Sequence, residues 1–260
     1  MLTTTDLTLA RDVGGALLLS FAFWILAGYG LLRFVRFGVC SVCGAVVSVW
    51  ALNLLLGFLP GWVTLLLLGQ SVVGGSSLAR DLLFVGRILR APDDESRRVL
   101  MARSQMAWFA FILAGTFALG LLGLVWGLDR PLGITLAAGQ LALLLAVLSA
   151  SFVLWVLVFF ATQRLWGVGF CQVCAAVSSV WVANLLFGFL PAWATVFLLG
   201  QSVAGGAAML RDLAARRLNL DDLPYTKKRL AKQGSYFAFL VTGTVVAVLL
   251  ARAAVAVGTL

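Results

Sequence analysis

Eight stretches of this chain are apolar on every face, and polar residues collect between them. They cover residues 14–35, 39–59, 62–79, 104–128, 141–163, 170–190, 193–213 and 235–257. Each runs for about twenty residues, the length a helix needs to cross the hydrocarbon core of a bilayer. None alternates apolar and polar with a period of two, which excludes membrane β-strands. The pattern predicts an all-α, polytopic transmembrane protein of about eight spans. Residues 1–13 hold two Asp, one Arg and no basic leader pattern, so the first run is expected to stay as a helix.

The apolar pattern repeats. Cys40-Ser41-Val42-Cys43 returns as Cys171-Gln172-Val173-Cys174, 131 residues later. From 40–82 to 171–213 there is no gap, and 28 of 43 positions are identical. Leu17, Ser20, Phe21, Trp24, Leu26 and Arg33 match Leu148, Ser151, Phe152, Trp155, Leu157 and Arg164 at the same offset. Phe109 and Phe111 match Phe237 and Phe239 at an offset of 128. Two four-helix repeats are therefore expected, 1–130 and 131–260. Four helices per repeat is an even number, so both copies should insert in the same orientation. That predicts parallel repeats related by a pseudo-twofold axis along the membrane normal.

Composition agrees with a bilayer protein: 62% of residues are hydrophobic and 11% charged, against roughly 25% charged in soluble domains. The charge is unevenly placed. Of 19 Lys and Arg, 16 fall on the side that holds the loops after spans one, three, five and seven. The positive-inside rule makes that side cytoplasmic, with both termini outside. A bacterial or archaeal cytoplasmic membrane is the expected location. Partners expected are the lipid bilayer, anionic headgroups at the basic loops, or other membrane subunits; no nucleic acid is expected. Pro92-Asp93-Asp94-Glu95 reads as a helix start, with acids in the first turn, and Asp221-Asp222 before Pro224 as another.

The chain has four cysteines and no histidine. Without His there is no His-based acid–base chemistry. The ten acids lie in loops, termini or span ends, and neither a P-loop nor a dinucleotide-binding glycine pattern is present. The charge count puts Cys40, Cys43, Cys171 and Cys174 at the cytoplasmic ends of spans two and six, where structural disulfides do not persist. Two C-x-x-C pairs supply four thiolates, enough for Zn²⁺ or an iron–sulfur cluster. A helix N-terminus and nearby Arg33, Arg36 and Arg164 favour thiolate there. A non-enzymatic protein with one symmetric four-cysteine site is expected, either transporting a small solute or metal or serving as a subunit of a larger complex. The alternative is a thiol-redox or electron-transfer protein using each pair as a dithiol. Structural or acylated cysteines are the plain reading of the same residues.

The remaining polar residues inside spans are neutral. Asn53 and Asn184 share a helix face with Cys43 and Cys174 at 100° per residue. Gln70, Ser71, Gln201 and Ser202 lie on spans three and seven, with Gly75 and Gly206 continuing the small-residue face. Such faces serve tight helix packing or line a pathway.

Overall fold

The computed structural model describes residues 4–34, 40–127, 132, 134–166, 170–219 and 225–257. Arg36, Asp221, Asp222 and Pro224 lie outside these residues, as does the side chain of Arg33. Among the described residues the chain is helical and has no strand. The helices are α1 (Thr4–Phe34), α2 (Ser41–Leu56), α3 (Gly61–Leu89), α4 (Asp94–Trp126), α5 (Ala138–Trp166), α6 (Gln172–Phe187), α7 (Ala192–Arg217) and α8 (Tyr225–Val257).

Six of these helices are long and apolar enough to cross a membrane, the inventory of an integral membrane protein. The other two, α2 and α6, have 16 residues each, about 24 Å at 1.5 Å per residue. They are shorter than the expected spans because a cysteine cap and a glycine turn set their ends. Cys40 and Cys171 begin them, while Gly57 (φ 65°) and Gly188 (φ 62°) end them in the left-handed conformation, which glycine adopts without a Cβ clash. Pro60 and Pro191 then start the next helix, their carbonyls accepting from Val63 N–H and Ala194 N–H at 2.9 Å.

The expected helix start at Pro92–Glu95 is present. Asp93 caps α4, accepting the Ser96 amide at 2.7 Å. That amide, with the Ser96 hydroxyl, holds the Asp93 carboxyl below its usual range. The cap's contribution is therefore present above the unfolded carboxylate pKa of about 4 and is lost as pH falls through the folded value. The stability gap between wild type and Asp93→Ala is expected to close in thermal melts taken at falling pH.

The described helices form two compact units. One comprises Met1–Ser71 with Leu199–Leu260, the other Val72–Leu198. Each unit thus takes helices from both sequence repeats. In the first, α1 packs on α2 and on α8; in the second, α5 packs on α6 and on α4. The same contacts recur inside each. Phe21 stacks on Phe237 at 3.8 Å and 7°, and Phe152 on Phe109 at 3.9 Å and 8°. Trp24 donates to Ser48 Oγ at 2.8 Å, and Trp155 to Ser179 Oγ at 2.9 Å. Ser20 and Ser151 reach the carbonyls of Ala45 and Ala176. Large apolar side chains such as Leu19, Leu26, Leu55, Leu157 and Leu186 are exposed, as expected of helices that face lipid.

One polar contact belongs to the first unit alone. Arg252 Nε bonds Asp6 Oδ1 at 2.7 Å, joining α1 to α8, and Asp6 is buried. The matching positions of the repeat, Ala137 and Leu124, carry no charge.

Candidate dithiol sites

Each C-x-x-C pair is built by a helix start. Cys40 is extended (φ −79°, ψ 104°) and its Sγ accepts from Cys43 N–H at 3.4 Å. Its carbonyl takes the first helical bond, from Gly44 N–H at 3.0 Å. Cys171 has the same conformation (φ −78°, ψ 106°), with Sγ accepting from Cys174 N–H at 3.3 Å. No disulfide joins either pair. All four are partly exposed.

Cysteine is an odd choice for this position. The oxygen of Ser, Thr, Asp or Asn caps a helix better than sulfur does. Both copies nevertheless place sulfur there, with a second sulfur three residues on. Capping alone does not account for that choice.

A cation and an aromatic complete each site, and both come from the other repeat. In the first unit, Arg211 of α7 lies within electrostatic reach of Cys40 and Cys43. Its Cζ sits 5.4 Å from the centre of the Tyr236 ring on α8, and Tyr236 lies within reach of both cysteines. In the second unit, Arg80 of α3 acts on Cys171 and Cys174. Its Cζ sits 4.8 Å from the centre of the Trp108 ring on α4. Each arginine is also held by the next residue. Arg80 Nη2 meets Asp81 Oδ1 at 2.7 Å, and Arg211 Nη2 meets Asp212 Oδ1 at 2.7 Å. A carboxylate on one edge and an aromatic face on the other fix the guanidinium's orientation.

These arginines and their aromatics are absent from the sequence-derived site. There, Arg80 and Arg211 serve only to fix topology, and Arg33, Arg36 and Arg164 stand near the thiols. Arg164 lies exposed in the last turn of α5, and the arginine that reaches Cys171 and Cys174 is Arg80. A signal existed in the sequence. Residues 76–79 and 207–210 differ at every position, yet Arg80-Asp81 and Arg211-Asp212 after them are unchanged.

The neutral polar residues hold the scaffold under the sites. Asn53 Nδ2 donates to Leu59 O at 3.0 Å and Thr64 Oγ1 at 2.6 Å, while Asn53 Oδ1 accepts from Leu59 N–H. Asn184 repeats this with Leu190 and Thr195. Ser71 Oγ accepts from Trp50 Nε1 at 3.0 Å. Gln70 donates to Thr244 Oγ1 at 2.8 Å, and its Oε1 is buried without a hydrogen-bond partner among the described residues. Gln201 is buried as well, and Ser202 is engaged in a further contact of its own.

Among the described residues, no three His, Cys, Asp or Glu side chains gather as a group able to hold a metal ion. What the geometry presents is a dithiol, an oriented guanidinium and an aromatic ring, once in each unit. No protein-family model, no curated protein and no solved structure matches the chain.

Proposed function

We propose that this integral membrane protein carries two redox-active dithiols, one in each compact unit, at the cytoplasmic ends of an eight-span bundle of two parallel repeats. The observation that carries the reading is the pair geometry. The first sulfur caps a helix and accepts the amide of the second cysteine three residues on, within electrostatic reach of an arginine. Two cysteines three residues apart at a helix start can be joined by a disulfide with limited backbone movement. Thiolate at a helix N-terminus beside a cation is the reactive form of cysteine.

The sidedness rests on the charge count, which assigns Arg80, Arg211 and both C-x-x-C pairs to the same face. A bilayer-facing role as a thiol–disulfide exchange protein or redox sensor at the cytoplasmic face is the reading that results. It needs no relay across the membrane.

The shared four-cysteine site for Zn²⁺ or an iron–sulfur cluster, in a transporter or a complex subunit, rests on the duplicated spacing. One experiment separates the readings. Purified protein is analysed for zinc, iron and sulfide, then oxidised mildly and mapped by mass spectrometry. Cys40–Cys43 and Cys171–Cys174 disulfides in metal-free, fully folded protein are expected. One zinc per chain, or iron with sulfide, lost only on denaturation, would overturn the dithiol reading in favour of the shared site. Cys40→Ser supplies a control, because serine keeps an acceptor for the Cys43 amide. It is expected to abolish the first disulfide and leave thermal stability within about 1 kcal/mol of wild type. A collapse of stability on that change would mark the cysteine as structural.

A further inference from the structure

We infer that each arginine is the recognition element of its dithiol, selecting a low-molecular-weight disulfide that bears carboxylates, with Arg211 serving Cys40–Cys43 and Arg80 serving Cys171–Cys174. The inference rests on the dithiol reading above and names the substrate class for those sites.

The guanidinium groups are placed for this. The side chains of Arg80 and Arg211 are 22% and 31% exposed, so a soluble ligand can reach them. Asp81 takes Nε and Nη2 of Arg80, at 2.9 and 2.7 Å, Ser77 Oγ shares Nη2 at 3.4 Å, and among the described residues none bonds Nη1. A planar fork with one edge still presented binds carboxylate in a defined orientation. The aromatic beneath each arginine, Trp108 or Tyr236, keeps the fork from swinging away, and both rings are buried. In each unit the oriented guanidinium lies within electrostatic reach of the thiol pair. The aromatic differs between copies while the arginine does not, so the charge is the constant part of the arrangement.

The exchange proceeds as follows. The Cys40 sulfur, which already accepts the Cys43 amide, attacks one sulfur of R–S–S–R. A Cys40–S–S–R bond forms, the R–S–S–R bond breaks, and R–S⁻ leaves. Cys43 then attacks the Cys40 sulfur, the intramolecular disulfide forms, and the second R–S⁻ leaves. The two cysteine protons end on the two released thiols. The dithiol loses two electrons and the substrate disulfide gains them.

The test uses the full chain, reduced, in zwitterionic phosphatidylcholine nanodiscs. Three disulfides are compared: dianionic dithiobis(nitrobenzoate), neutral hydroxyethyl disulfide and cationic cystamine. Rates at each pair are read by peptide mapping and normalised to those of free dithiothreitol with the same probes. Wild type is expected to favour the anionic probe on the order of tenfold, a preference that falls as salt rises. Arg211→Gln is expected to erase the preference at Cys40–Cys43 alone, and Arg80→Gln at Cys171–Cys174 alone. Arg→Lys at either site should restore much of it, which guards against a folding defect. An anionic preference unchanged in both Gln variants overturns the inference while leaving the dithiols intact. Cysteines that form no disulfide with any probe overturn the dithiol reading and the inference together.

Discussion

Gly200→Ala is expected to destabilise the protein by at least about 2–3 kcal/mol. A Cβ at this position would lie 2.0 Å from the carbonyl oxygen of Leu66 and 3.1 Å from its Cα. The obstacle is backbone on α3, which cannot turn aside as a side chain does, so the two helices must separate. Between membrane helices, close approach is itself the main attraction, since lipid tails are as apolar as leucine. Gly206→Ala on the same helix is the control. A Cβ there meets nothing within 4 Å, and alanine in place of a helical glycine gains up to about 1 kcal/mol. Thermal melts in detergent should move the two variants in opposite directions. Equal melting temperatures would show that α3 and α7 do not meet at Gly200.

That contrast shows what the sequence carried and what it did not. The apolar runs located the middle of each described helix, because lipid-facing and packed surfaces are both apolar, but α1, α3, α4 and α8 continue about ten polar-rich residues beyond their runs, where hydropathy does not mark a helix end. The small-residue faces on α3 and α7 were equally legible, but the contact was not. Gly75 and Gly206 fall on the expected face and have open space, while Gly200, six residues away from Gly206, bears the crossing. Spacing gives a helix its faces; which face meets which neighbour depends on how separate helices assemble.

The sites divide in the same way. The cysteine pairs, their helix-start position and their repetition follow from local sequence, since a cap is decided within four residues. Arg211 and Tyr236 stand about 170 and 195 residues beyond Cys40, and no local rule joins them. The sequence placed Arg33, Arg36 and Arg164, which lie next to the pairs along the chain, near the thiols. In each compact unit the arginine and aromatic come instead from the opposite copy. Phe21 on Phe237 and Phe109 on Phe152 show the same exchange, with α8 completing the helices of the first repeat and α4 those of the second.

Asn53→Ala is expected to cost about 2–4 kcal/mol, and Asn184→Ala the same. The reason lies in the hairpin between α2 and α3. Gly57 turns the chain, but the turn is held by the Asn53 amide, which bonds both the N–H and the C=O of Leu59 and the hydroxyl of Thr64. Asn53, Leu59 and Thr64 are all buried, so water cannot take over when the amide is removed. Each orphaned group then carries its desolvation cost of about 1–3 kcal/mol, partly relieved as the turn loosens. Thr64→Val should cost less, because it removes one bond and leaves the Leu59 backbone held. Asn53→Asp discriminates further: it keeps the acceptor for Leu59 N–H, loses both donors and faces a carbonyl with a carboxylate. It should therefore destabilise at least as much as alanine at neutral pH and recover in part when the carboxyl is protonated. Because the two hairpins are built from the same bonds within separate units, the Asn53 and Asn184 variants should add when combined. A double variant no less stable than either single one would show that the two hairpins do not act independently.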